Sequence, residues 1–252
     1  MAIIGAYPPG TQKSSPHGNL LFGGIAMSST AMWLLLAVVV IGILFVSVLY
    51  KRTFTPHELA LTGVMAALSF VAYLFFRVPF YGGSSFHLGN TFTALAALLL
   101  DGVSGGLSGA IGLALADVLA GDPGYAVTTF VLKFIIGVVC GFTAHRLCRI
   151  DAAAPGRRLP YLARVTVSAG SGLLVNVFTD PLLGYFRNVY IFGQDYSAAQ
   201  VLASVAGGVT LVNSLVSTLC AVLLYLAVRP ALDRAGLLPK PQDRSLKQAH
   251  RA

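Results

Sequence analysis

An all-α, polytopic membrane helix bundle is the fold class that the sequence predicts, with a six-helix core behind one extra N-terminal transmembrane helix. Three observations carry this. Of 252 residues, 56% are hydrophobic and only 10% are charged, less than half the share of charge usual in soluble domains. Apolar runs recur along the chain, most of them long enough to cross a bilayer at about 20 residues each. The cationic residues, finally, fall almost entirely on one side of the membrane once those runs are laid out in alternation.

Residues 1–30 are rich in Gly, Pro and Ser and hold one charge, Lys13. They read as a flexible tail. The run 31–50 (AMWLLLAVVVIGILFVSVLY) is the extra span, with Trp33 and Tyr50 near its ends, where aromatic belts form. Lys51 and Arg52 close it, and that order argues against a signal peptide, whose charge precedes its apolar core. The core spans read as 57–76, 88–100, 103–120, 125–145, 163–186 and 199–228, the second being short. The domain organisation is therefore a tail (1–30), an extra helix (31–52), a six-helix membrane domain (53–230) and a basic tail (231–252).

The net charge of +8 admits either an acidic partner or an orientation signal. Alternation from Lys51 and Arg52 places Arg146, Arg149, Arg157, Arg158 and Arg164 on the same side. Arg229, Arg234, Lys240, Arg244, Lys247 and Arg251 join them, thirteen of the seventeen cationic residues in all. Lys13, Arg77 and Arg187 fall opposite, and Lys133 lies inside a span. The positive-inside rule then sets the C-terminus in the cytoplasm and the N-terminus outside. No basic patch interleaved with aromatics is left to argue for nucleic acid.

Several function classes fall away. Cys140, Cys148 and Cys220 form neither a CxxC pair nor a Cys/His cluster, so no disulfide framework and no metal site is expected. No GxxxxGK[ST] loop, HExxH helix or GxSxG elbow occurs, which removes an ATP site and the familiar hydrolase centres. No catalytic residue and no cofactor is expected. The run DGVSGGLSGAIGLALAD (101–117) repeats small residues at four-residue spacing, as lipid-embedded helices do where their backbones approach closely. Gly63 and Ala67 form a second pair of this kind, suited to internal packing or to docking a partner helix.

Polar residues inside spans are the candidate site. An ionisable group at a span centre costs ~2.5–3.5 kcal/mol on insertion scales, so Asp117, Lys133 and Asp180 need a reason. All three fall in the outer half of the alternating bundle. They read as a structural ion pair or as an outward-facing polar pocket. Asn176 and Asp180 are four apart and share a helix face, and Pro181 lets that helix bend or end. Asn213 is mid-span on the last helix, as helix glue or ligand contact. The outer loops add His87, Asn90, Tyr125 and Arg187, together with Arg77, Ser84, Ser85 and Asp122, a mixture suited to capturing a small polar molecule.

Residues 84–137, SSFHLGNTFTALAALLLDGVSGGLSGAIGLALADVLAGDPGYAVTTFVLKFIIG, resemble the substrate-binding S components of energy-coupling factor (ECF) vitamin transporters. The features are an HLGN turn entering a short helix, an LAALLL run, a Gly-rich helix ending in AD, and a TFVLK helix start. NVFTDPLLGYF (176–186) and LLYLAVRPAL (223–232) also fit, so the resemblance spans about 57–235. It implies a six-helix membrane protein that binds a vitamin or vitamin precursor near the outer face. It also implies a transmembrane coupling subunit and two cytoplasmic ATPase subunits as partners, which agrees with the missing ATP motif. A small-residue face on the first core helix would meet the coupling subunit, here Gly63 and Ala67 in a GxxxA version. The extra span at 31–50 is a departure from the usual six. The substrate-binding candidates are His87, Asn90, Asp117, Tyr125, Lys133, Asn176, Asp180, Arg187 and Asn213. A stand-alone secondary transporter or channel, using the three ionisable residues as a relay, is the rival reading. The particular vitamin is left open by the sequence.

Overall fold

The computed structural model describes residues 20–22, 25–27, 53–80, 84–151 and 158–238. The chain divides into two units, Met1–Thr53 and Phe54–Ala252. In the first, strand β1 (Leu20–Phe22) pairs antiparallel with β2 (Ile25–Met27), Phe22 opposite Ile25. The span expected at 31–50 and the basic tail beyond Leu238 lie outside the described residues.

The second unit is an all-α bundle. Helix α1 (Pro56–Phe75) opens on a capping box: Thr55 accepts from the Glu58 amide, and Glu58 accepts from the Thr55 amide, both at 3.1 Å. A two-residue hairpin follows, β3 (Val78–Pro79) against β4 (Ser85–Phe86). Helix α2 (Gly89–Leu99) is short and almost wholly enclosed, with Ala94 through Leu100 each at most 3% exposed. Helix α3 (Gly102–Leu119) starts where Asp101 accepts from the amides of Val103 and Ser104. A 3₁₀ turn (Pro123–Tyr125) leads into α4 (Ala126–Phe142), which closes on a single π turn (Thr143–Leu147). The long pair α5 (Arg158–Tyr190) and α6 (Tyr196–Arg234) completes the bundle. All of these helices except α2 are long and apolar enough to cross a membrane, so this is a multi-pass membrane protein.

Six core helices appear where the apolar runs placed spans, five of them long enough to cross and the second, α2, a shorter apolar helix. The differences are at the ends: α5 begins at 158 rather than 163, and α6 reaches 234 rather than 228. Hydropathy fades before the helix does, because charged residues are good helix formers and hold the last turns. Arg229 and Asp233 pair at i,i+4, 3.6 Å apart. Arg229 also donates to the hydroxyls of Tyr161 and Tyr225 and to Asp151. In α5 the helix continues through Pro181, as membrane helices tolerate where neighbours re-satisfy the freed carbonyl.

The small residues of α3 explain its place at the centre, because they face three neighbours at once. A Cβ on Gly105 or Gly109 would collide with Ala97 or Thr93 of α2, and one on Gly112 with the Ala66 carbonyl of α1. Toward α4, Gly102 and Gly106 meet Gly141 and Gly137 backbone to backbone. The packing reading of this stretch is what the structure shows. At the end of the bundle where α4 closes, His145 bridges the Ala97 carbonyl (3.0 Å) and Asp151 (2.7 Å).

Candidate functional site

A polar cavity lies at the opposite end, ringed by the last turns of α1 and α3, the first turns of α2 and α4, the C-terminal half of α5 and the stretch of α6 from Ala206 to Asn213. Its empty space, counted out into the open solvent at its mouth, is about 730 Å³. All nine residues chosen from the sequence as binding candidates line it: His87, Asn90, Asp117, Tyr125, Lys133, Asn176, Asp180, Arg187 and Asn213. Helical periodicity brings them together. Asn176, Asp180, Gly184 and Arg187 descend one face of α5, Thr129 and Lys133 share a face of α4, and Thr210 and Asn213 share a face of α6.

The three ionisable span residues do not form a simple ion pair. Asp117 accepts from the Tyr73 hydroxyl on one oxygen (2.6 Å) and from Thr129 on the other (2.5 Å), which ties α1, α3 and α4 together. Asp180 accepts from Thr210 at 2.5 Å, joining α5 to α6. Lys133 is buried, 6% exposed, and none of the described carboxylates forms an ion pair with it. Asp180 and Asp117 are nonetheless the charges that act on it. Both carboxylates are thus held by hydroxyls, and the ammonium faces the cavity they share.

Two amides complete the floor. Asn176 is 1% exposed and neither its Oδ1 nor its Nδ2 has a hydrogen-bond partner; Asn90, also 1% exposed, has an unpartnered Oδ1. Buried polar atoms are normally paired, and each exception calls for an explanation. Asn213 differs. Its Oδ1 accepts from the His87 amide (3.0 Å) and its Nδ2 donates to the Ser85 carbonyl (2.9 Å). His87 packs its ring on Tyr73, centroids 4.6 Å apart. Burial, with Lys133 and Arg77 adding positive charge, holds its imidazole well below the usual histidine range, so it is neutral.

Two arginines brace the rim. Arg77 donates to Asp122 at 2.6 Å and lies over the Tyr73 ring. Arg187 donates to Thr128 at 2.9 Å, with its guanidinium carbon 3.7 Å from the Tyr125 ring centroid. Tyr125 in turn packs against Phe192. The 121–125 loop is therefore held from both flanks, and Gly121, at φ +89°, makes its turn.

Sequence reasoning missed Tyr73, Thr128, Thr129 and Thr210. Thr129 and Thr210 carried a signal in their spacing, one turn from Lys133 and Asn213 on the same helix. Tyr73 stood at the end of an apolar run, where an aromatic reads as belt. Gly63 and Ala67 are far from the cavity, both exposed on the outer face of α1, with nothing within 4 Å of a Cβ built on Gly63. Among the described residues no group of three or more His, Cys, Asp or Glu is arranged to hold a metal ion.

The family model described as "ECF-type riboflavin transporter, S component" matches residues 53–230. No curated protein and no solved structure matches the chain.

Proposed function

The chain belongs to the ECF-type riboflavin transporter S component family, and from that premise we propose that it captures a vitamin or vitamin precursor at the outer face of the cell membrane. A transmembrane coupling subunit and two cytoplasmic ATPase subunits would drive uptake. The family is one of transporter subunits, not of enzymes. The observation that carries the reading is the convergence of nine separately chosen polar residues on one cavity at one end of the bundle. That end lies opposite the connection and C-terminal end that carry the predicted cytoplasmic charge, so the cavity faces outward.

Lys133, Asn90 and Asn176 are the groups with capacity to spare, and they supply an ammonium and two amides to a ligand rich in acceptors and donors. Asp117, already holding two hydroxyls, and Asp180, holding one, accept from ligand hydroxyl or N–H groups on their remaining lone pairs. Arg187 and Tyr125 close the site from above. The exposed Gly63/Ala67 face of α1 docks the coupling subunit, since small residues let another helix approach closely.

The test is mass spectrometry of the ligand carried by the purified full chain, followed by titration with a panel of vitamins that includes riboflavin. A bound vitamin, and co-purification with a coupling subunit, support the reading. Binding to none of the panel and no such partner would overturn it. Uptake by this chain alone, sensitive to an uncoupler, would instead favour a stand-alone transporter.

A further inference from the structure

The outer hairpin is too small to stand by itself. Its strands β3 and β4 are two residues each, paired Val78 to Phe86 and Pro79 to Ser85, with one further bond from the Phe80 amide to the Ser84 carbonyl. Isolated two-stranded hairpins are marginal in water even when longer. The edge of β4 that faces away from β3 presents the Ser85 carbonyl and the His87 amide, two positions apart. Asn213 meets both, donating at 2.9 Å and accepting at 3.0 Å. A neighbouring strand would use its backbone in this way, and here one side-chain amide on a helix takes its place. The bond to His87 is buried, with Asn213 4% exposed and His87 6%, and the bond to Ser85 is partly buried. The contact joins residues 126 and 128 apart in sequence.

We infer that Asn213 is a positioning residue, whose amide serves as the missing third strand of the hairpin and fixes residues 84–88 as a wall of the cavity. It acts through that wall rather than by touching ligand. Thr210, one turn earlier on α6, binds Asp180, so a single face of α6 ties the hairpin to α5 across the site. The wall also sets His87 against Tyr73, whose hydroxyl holds Asp117. Loosening Asn213 therefore reaches the floor of the cavity through two contacts.

The ligand-binding part of this inference rests on the proposed capture function; the hairpin part does not. The experiment compares amide hydrogen exchange in the full chain with Asn213→Leu, which removes both bonds. Asn213→Asp keeps the acceptor for His87 and sets a carboxylate against the Ser85 carbonyl. The expected result is exchange at the His87 amide about tenfold faster or more in Asn213→Leu, with Asn213→Asp retaining part of its protection and amides of α4 unchanged. With riboflavin as the probe, dissociation rises about tenfold in Asn213→Leu while association changes less. Unchanged His87 exchange in both variants overturns the inference. So does lost affinity with His87 still protected, which would make Asn213 a direct ligand contact. Should the wild-type chain bind no riboflavin, the proposed ligand fails, and His87 exchange alone decides the role of Asn213.

Discussion

Asn176→Leu is expected to make the ligand-free protein more stable and to abolish capture. The Asn176 amide is enclosed on α5, and neither its oxygen nor its nitrogen finds a partner. A buried polar group left unpaired costs ~1–3 kcal/mol. Leucine has nearly the same shape and carries no such penalty, so replacing both polar atoms recovers most of it. At ~2–4 °C per kcal/mol for a chain of this size, the midpoint of unfolding should rise by several degrees. The same change removes a donor and an acceptor from the ligand. A binding site built around hydrogen bonds rejects poorly matched partners by large factors, so affinity should fall at least a hundredfold. Thermal unfolding of the purified chain, followed by fluorescence with and without vitamin, reads both quantities at once. A variant that melts lower than wild type yet binds normally would refute the reasoning, since it would mean that the amide supports the fold and not the ligand.

Three further outcomes are expected. Gly137→Val should sharply reduce folded protein, because a side chain there meets the Gly106 backbone and overpacking costs ~1–3 kcal/mol or more; Gly63→Val should leave the isolated chain intact and weaken its co-purification with a coupling subunit, both read by size-exclusion chromatography. Acid should destabilise the protein through His87: its folded-state value lies below the ordinary ~6.5, so the unfolded chain binds the extra proton and stability is lost as pH falls below that value. Tyr73, Arg77 and Lys133 surround this imidazole, and unfolding midpoints between pH 7.5 and 5 should flatten in His87→Gln. Arg187→Lys keeps the charge but loses the planar stack on Tyr125, so vitamin should dissociate several-fold faster in stopped-flow quenching while the melting midpoint moves little.

Much of this was legible in the chain itself. Scarcity made Asp117, Lys133 and Asp180 conspicuous, since each is costly in lipid, and alternation of the spans sent all three to one end. The helix positions followed from hydropathy. Helix ends did not, because Arg229 ties the end of α6 to Tyr161 and Asp151, 68 and 78 residues away, contacts that no local pattern records. The pairing of polar groups was equally hidden. Lys133 was as plausible a partner for Asp117 as Tyr73 and Thr129, and only packing decides for the hydroxyls. Asn213 illustrates the limit: its spacing marks it as inward-facing, but its backbone partners sit more than a hundred residues away. The glycines of α3 announced close packing, without saying that one helix would serve three neighbours.

Helix α2 sets the depth of the site. Its 11 residues rise about 16 Å, roughly half of a hydrocarbon layer of about 30 Å. Every other core helix is long and apolar enough to cross a membrane, whereas this one is not, and His87 and Asn90 at its start line the cavity. One inserted turn before Gly89 would therefore cap the binding site with the protein's own backbone. The room at this end of the bundle opens where the shortest of the core helices begins.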